Sequence, residues 1–157
     1  MATFEKPIYD RTLSDVTRAI DKVNEWIKDP ALEKYDLKGC LNVGDLNRVE
    51  GNIEYLSEYL NNLHYLQNVD AKSWGRADLP TQTDIDRIIN NVRTLINAYN
   101  ISIKAPSLPT QMMTYSEIND IEKIISILSN MIYYMESAFP KSNTIKSGSR
   151  NMLPLAR

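Results

Sequence analysis

Four stretches of this sequence place apolar residues three and four positions apart, and that spacing restricts the fold more than any other feature. Leu13, Val16, Ile20, Val23 and Ile27 form the first set; Leu46, Val49, Ile53, Leu56, Leu60 and Leu63 form the second. Ile85, Ile88, Val92, Leu95 and Tyr99 make the third, and Ile118, Ile121, Ile125, Leu128, Ile132, Met135 and Phe139 the fourth. On an α-helix this rhythm draws one apolar stripe, and the three-four alternation is the heptad seam of helices that pack at shallow angles. The pattern predicts an all-α fold, a bundle of about four long amphipathic helices. A seam does not say whether its partner helix lies in the same chain.

Helix starts are marked by hydroxyls three residues before a carboxylate, the spacing of a capping box: Thr12 with Asp15, Thr83 with Asp86, Thr114 with Glu117. The second helix is expected to open at Gly44-Asp45 and to run over about 45–67, roughly 33 Å at 1.5 Å per residue. Asp29-Pro30 and Phe139-Pro140 should stop the first and fourth helices, because a residue before proline is pushed out of the α region. The connections, about 30–44, 68–82 and 100–114, are long for an up-down bundle. Ala31 to Cys40 could hold a short extra helix; the other two are expected to run along the bundle rather than turn tightly. Asp45-Leu-Asn-Arg48 with Asn52 and Asp84-Ile-Asp-Arg87 with Asn91 match at a constant spacing, a faint internal repeat that shared helix grammar alone could also produce.

The expected organisation is an N-terminal arm (1–11), a helical bundle domain (12–139) and an extended basic C-terminal tail (140–157). A chain of 157 residues, 43% of them hydrophobic, can bury such a core unaided. The tail carries Lys141, Lys146, Arg150 and Arg157 with no acid, so a body of −6 bears a tail of +4 within the net −2. With Ser147, Gly148 and Ser149 and the apolar Met152, Leu153 and Leu155, it reads either as an unstructured terminus or as an arm for an acidic neighbouring surface.

Chemistry finds little to work with. His64 is the only histidine and reads as a residue inside the second helix, at its surface or core edge. Cys40 is the only cysteine, which excludes an intrachain disulfide and a CxxC site. His64 follows Asn61 rather than a glutamate, so the Glu-x-x-His of di-iron bundles is absent. No phosphate-loop, dinucleotide-binding or nucleophile-elbow motif occurs. The expectation is a protein that is not an enzyme and has no cofactor, metal or small-molecule substrate. Nucleic-acid binding is not expected either, because the second helix sets Glu50, Glu54 and Glu58 against Arg48. No apolar run approaches the roughly 20 residues that span a bilayer, and Met1 to Asp10 lacks the apolar stretch of a signal peptide. Synthesis and assembly in the cytoplasm, with no membrane partner, is the expectation.

Tyrosine offers the clearest means of interaction. Tyr55 and Tyr59 on the second helix and Tyr133 and Tyr134 on the fourth are candidate interface anchors, one end apolar and the other able to hydrogen-bond. The plainer reading is that they flank the core. Trp26 and Trp74 read as packing residues, Trp74 pinning the second connection to the bundle.

Several strings carry a resemblance. Tyr9-Asp-Arg-Thr-Leu-Ser-Asp15-Val, Leu37-Lys-Gly-Cys-Leu-Asn42, Asp45-Leu-Asn-Arg-Val-Glu50 and Asn52-Ile-Glu-Tyr-Leu56 resemble a helical module of tail and other virion structural proteins in phages and prophages of Firmicutes. Ser107-Leu-Pro109 and Ser116-Glu-Ile-Asn-Asp-Ile-Glu-Lys123 follow in the same order, so the likeness spans about residues 9–139. It implies a structural component of a bacteriophage tail, tail fibre or baseplate, or of a phage-tail-like particle, located in the virion after assembly in the bacterial cytoplasm. Other phage structural proteins and further copies of this chain would be its partners, with Lys146, Arg150, Met152, Leu153 and Leu155 as a docking segment beside the tyrosines. It implies no active site. The alternative, from the residues alone, is a small cytoplasmic helical adaptor or regulator that binds a protein through its tyrosine-bearing faces.

Overall fold

Each of four helices begins where a side chain closes its first turn. At Thr12 the hydroxyl accepts from the Asp15 N–H (3.3 Å) while the Asp15 carboxylate accepts from the Thr12 N–H (2.9 Å). Asn42 with Asp45, Thr81 with Asp84, and Thr114 with Glu117 repeat this exchange. Two of the starts differ from the sequence reading. Asn42, not Gly44, caps the second helix, because its carboxamide oxygen can accept the orphan N–H of Asp45 and a glycine has nothing to offer. Thr81, not Thr83, opens the third; it stands at the same spacing from an aspartate and adds half a turn. The computed structural model describes residues 2–29, 38–99, 105–112 and 114–138, in which the helices are α1 (Leu13–Lys28), α2 (Val43–Asn62), α3 (Gln82–Tyr99) and α4 (Tyr115–Ala138). The fold is an all-α bundle, as the stripes require.

These caps have a pH signature. The Thr81 hydroxyl and N–H, aided by Lys72, hold the Asp84 carboxyl at about 2 from an ordinary 3.8. Asp15 is lowered in the same way by Thr12. A carboxyl depressed on folding stabilises the fold above its unfolded pKa and stops doing so as pH falls through its folded one. The start of α3 should therefore keep its support at pH 4 and lose it as the pH falls toward 2. A carboxyl carbon NMR titration checks this: the Asp84 midpoint should lie well below the ordinary 3.8.

α2 ends at Asn62, short of the expected 67, and His64 lies past the end rather than inside it. The Tyr65 N–H donates to the Leu60 carbonyl (2.9 Å) and the His64 N–H to the Asn61 carbonyl (3.0 Å), the two bonds of a Schellman stop. That stop puts His64 at φ 66°, in the left-handed region glycine prefers. Replacing His64 by glycine should stabilise the protein by about 0.5–1 kcal/mol, read as a higher urea midpoint with an unchanged slope.

The core is built by three helices. Leu46, Val49, Ile53, Leu56 and Leu60 of α2, Ile85, Ile88, Val92 and Leu95 of α3, and Ile118, Ile121, Ile125, Leu128 and Ile132 of α4 are all buried in one cluster. Those are the predicted seams, except that Leu63 is exposed beyond the end of α2, Tyr99 and Met135 are only partly buried, and Phe139 lies outside the described residues. The first seam behaves differently. α1 does not share that cluster: Leu13 is 66% exposed, Ile20 51% and Ile27 66%, and Ala19 is its only buried residue. Trp26, read from sequence as a packing residue, is 48% exposed.

The three core helices start at the same end. Arg48 near the start of α2 pairs with Glu122 near the start of α4, and Arg87 near the start of α3 pairs with Glu50 of α2. Helices that start together and pack lengthwise run parallel, so the connection from α2 to α3 must travel back along the bundle, which explains its length. Residues 63–81 do this as a strap. Asn61 takes the N–H and carbonyl of Gln67, Asn91 those of Asp70, and Asn47 those of Trp74. Trp74 is buried, its indole N–H directed to Glu50 (3.3 Å), so it pins the strap as the sequence reading expected. Of Ala31 to Cys40, where an extra helix was considered, only the turn at 38–40 is described; 31–37 lie outside the described residues, and so does the C-terminal tail.

Candidate interaction surfaces

The N-terminal arm lies against the bundle as a second strap. Asn52 of α2 takes the N–H and carbonyl of Glu5 (2.7 and 2.9 Å), and Asn119 of α4 takes those of Arg11 (3.2 and 2.9 Å). Between these two grips the Ile8 N–H donates to Glu122, and just before the first Phe4 meets the ring of Tyr55 at 5.5 Å. The same parts recur in the groove between α2 and α3: Asn91 stands where Asn52 does, Asn47 where Asn119 does, and Arg87–Glu50 where Arg48–Glu122 does. The repeat read at Asp45–Asn52 and Asp84–Asn91 is thus a repeat of strap-holding residues. An amide side chain that meets both backbone groups of one residue satisfies a chain with no ladder of its own.

Under the arm lies a buried ion network. Arg11 reaches Asp45 (2.8 Å) and Glu122 (2.9 Å), and Arg48 reaches the same two carboxylates. Burial opposes charge on Arg48, yet the hydrogen bonds to Glu122 and Asp45 outweigh it and hold the guanidinium above its ordinary pKa. Two cations and two anions cancel, and every carboxylate oxygen that faces inward has a donor. This arrangement positions the arm; it presents no unpaired acid or base to a substrate. An open cleft of about 700 Å³ beside the arm is lined by Lys6, Asp10, Lys38, Asn42 and Ser126, and there Lys38 pairs with Asp10 at 3.0 Å.

The tyrosines divide into two groups. Tyr55 and Tyr59 are half-buried against the core, the plainer of their two readings, and with Tyr99 they make an aromatic seam at the far end of α2 and α3. Burial there, with Tyr59 and Tyr55 adjoining, pushes the Tyr99 phenol well above its usual pKa. Tyr133 and Tyr134 are about two-thirds exposed and meet edge to face at 5.9 Å, so they are available as anchors. Lys146, Arg150, Met152, Leu153 and Leu155 lie outside the described residues.

α1 is where the seam alone could not decide. Its stripe reads as one of four seams with the partner helix left open, and here Leu13, Ile20 and Ile27 face solvent along it, while Trp26 lies farther round the helix. α1 is held from behind. Gly39 is buried against its backbone, where a Cβ would fall 2.1 Å from the Asp15 carbonyl oxygen, so only glycine allows this approach. Val16 and Val23 are half-covered and Ala19 is fully covered. The periodicity was the available signal; what it lacked was the address of the partner.

Among the described residues no three of His, Cys, Asp and Glu converge as a metal site would require, and no helix is long and apolar enough to cross a membrane. Compared with known proteins, the chain matches no family model, no curated protein and no solved structure.

Proposed function

We propose that this chain is a structural component of a bacteriophage tail, tail fibre or baseplate, or of a phage-tail-like particle, in which it serves as a helical connector and assembly module. The observation that carries the assembly role is the apolar face of α1, which the chain's own core leaves uncovered. Leu13, Ile20 and Ile27 recur along it at heptad spacing, the register of a helix face meant for another helix. The particle itself is read from the resemblance of residues 9–139 to virion modules. Two straps clamped by asparagines and a buried ion network give a stiff body suited to transmitting load between neighbours. On this reading the protein binds and assembles; it carries out no reaction. Its partners are other virion proteins and copies of itself.

Mass spectrometry of gradient-purified particles, with immunogold labelling, tests the proposal. The chain should be present at fixed stoichiometry and at one location. Absence from clean particles, with abundant chain in the cytosol, would overturn it in favour of an adaptor that binds through Tyr133 and Tyr134.

A further inference from the structure

We infer that the groove between α2 and α4 is a docking site for an extended, arginine-bearing segment, and that the N-terminal arm of a second copy of this chain fits it as the chain's own arm does. What the groove accepts is independent of whether the chain belongs to a virion. Its use between copies rests on the assembly reading.

The groove requires a cation from outside the two helices. Asp45 of α2 and Glu122 of α4 are both buried in it, and the helices themselves set only Arg48 against them. Arg11 of the arm supplies the second positive charge, 2.8 Å from Asp45 and 2.9 Å from Glu122. An empty groove would hold two carboxylates against one guanidinium, and a buried charge without a counterpart is strongly unfavourable. The other grips meet backbone rather than side chains. Glu58 accepts from the Ala2 N–H (3.3 Å) and Glu122 from the Ile8 N–H, while Asn52 and Asn119 each take an N–H and a carbonyl. Any extended segment with an arginine placed as Arg11 is would satisfy them, and a second copy carries one.

The two straps share their grips and differ in their tethers. Residues 63–81 continue into a core helix at each end, α2 before and α3 after. The arm continues only into α1, and no residue of 2–28 enters the core cluster; Phe4 alone of that stretch packs against it, partly buried. The three-helix core is therefore closed without the arm, and the arm can leave without opening it. Exchange between copies sacrifices no contact, because each arm regains the same partners in its neighbour, the low-cost route of a swapped segment. A tethered arm competes at an effective concentration on the order of millimolar, which copies held side by side in an assembly also reach. There a neighbour's arm competes with the chain's own on equal terms.

The test uses full chains and a labelled synthetic peptide of residues 2–12. The peptide should bind the Arg11→Ala chain, whose own arm lacks the cation, at least tenfold more tightly than the unmodified chain, and should raise that variant's thermal midpoint. Phe4→Ala loosens the arm and leaves the ion network intact, so that chain should admit the peptide as well. Asn52→Ala added to either chain, or Arg11→Ala in the peptide, should weaken binding at least tenfold. The Arg11→Ala chain keeps a sound groove with a poor arm, and an Asn52→Ala chain has the reverse. Mixed in equal amounts, the two should form a dimer in sedimentation velocity that neither forms alone. A peptide that binds neither the Arg11→Ala nor the Phe4→Ala chain, or that is indifferent to Asn52→Ala, would overturn the docking site. A mixture with no more dimer than its separate parts would overturn the second copy as its occupant.

Discussion

Replacing Glu122 by alanine should cost about 3–5 kcal/mol of folding stability, the usual result of removing one partner from a buried ion pair. Glu122 is 1% exposed and takes hydrogen bonds from Arg48 (2.8 and 3.0 Å), from Arg11 (2.9 Å) and from the Ile8 N–H. Without it, two guanidiniums share Asp45 alone, and one buried positive charge has no counterpart. The same change releases the middle of the N-terminal arm. Urea unfolding checks both effects: the midpoint should fall sharply, and amide exchange of residues 5–11 should accelerate beyond what the global loss explains. A cost below 1 kcal/mol would mean that water already solvates the network.

The second large effect separates the core from α1. Leu128 is completely buried in α4, so Leu128→Ala should cost about 2–5 kcal/mol through lost burial and the cavity left behind. Ile27 belongs to an equally regular stripe, yet at 66% exposed its replacement by alanine should change monomer stability by no more than about 0.5 kcal/mol. Thermal or urea unfolding at a concentration low enough to keep the chain monomeric makes the comparison. Similar losses at both positions would return α1 to the core.

That contrast marks how far the sequence could be read. The seams of α2, α3 and α4 were legible because apolar periodicity and core membership coincide there. On α1 the periodicity is as regular and its meaning is different: a stripe records that a face must be covered, not what covers it. The connection between α2 and α3 was legible as a segment running along the bundle, since helices that start at one end leave the chain no shorter way back. Of the holding residues, Asn52 and Asn91 stood out only as a repeat, and what they hold was not legible. Asn47, Asn52, Asn61, Asn91 and Asn119 all sit in helices, where asparagine is a poor choice, and five such positions facing extended segments were the available signal. His64 was beyond reach, because a left-handed stop normally announces itself with glycine. Thr81 and Thr83 each stand three residues before an aspartate, and spacing alone cannot choose between them.

Native-state hydrogen exchange on the full chain at two concentrations tests the central claim most directly, that a three-helix body carries α1 as an outward assembly surface. The amides of Val49, Ile88 and Ile121 should be the slowest at both concentrations. Those of α1 should exchange readily when the protein is dilute and gain protection as its concentration rises. α1 amides as slow as those of α2 in dilute protein would contradict the account, because the fourth helix would then belong to the core.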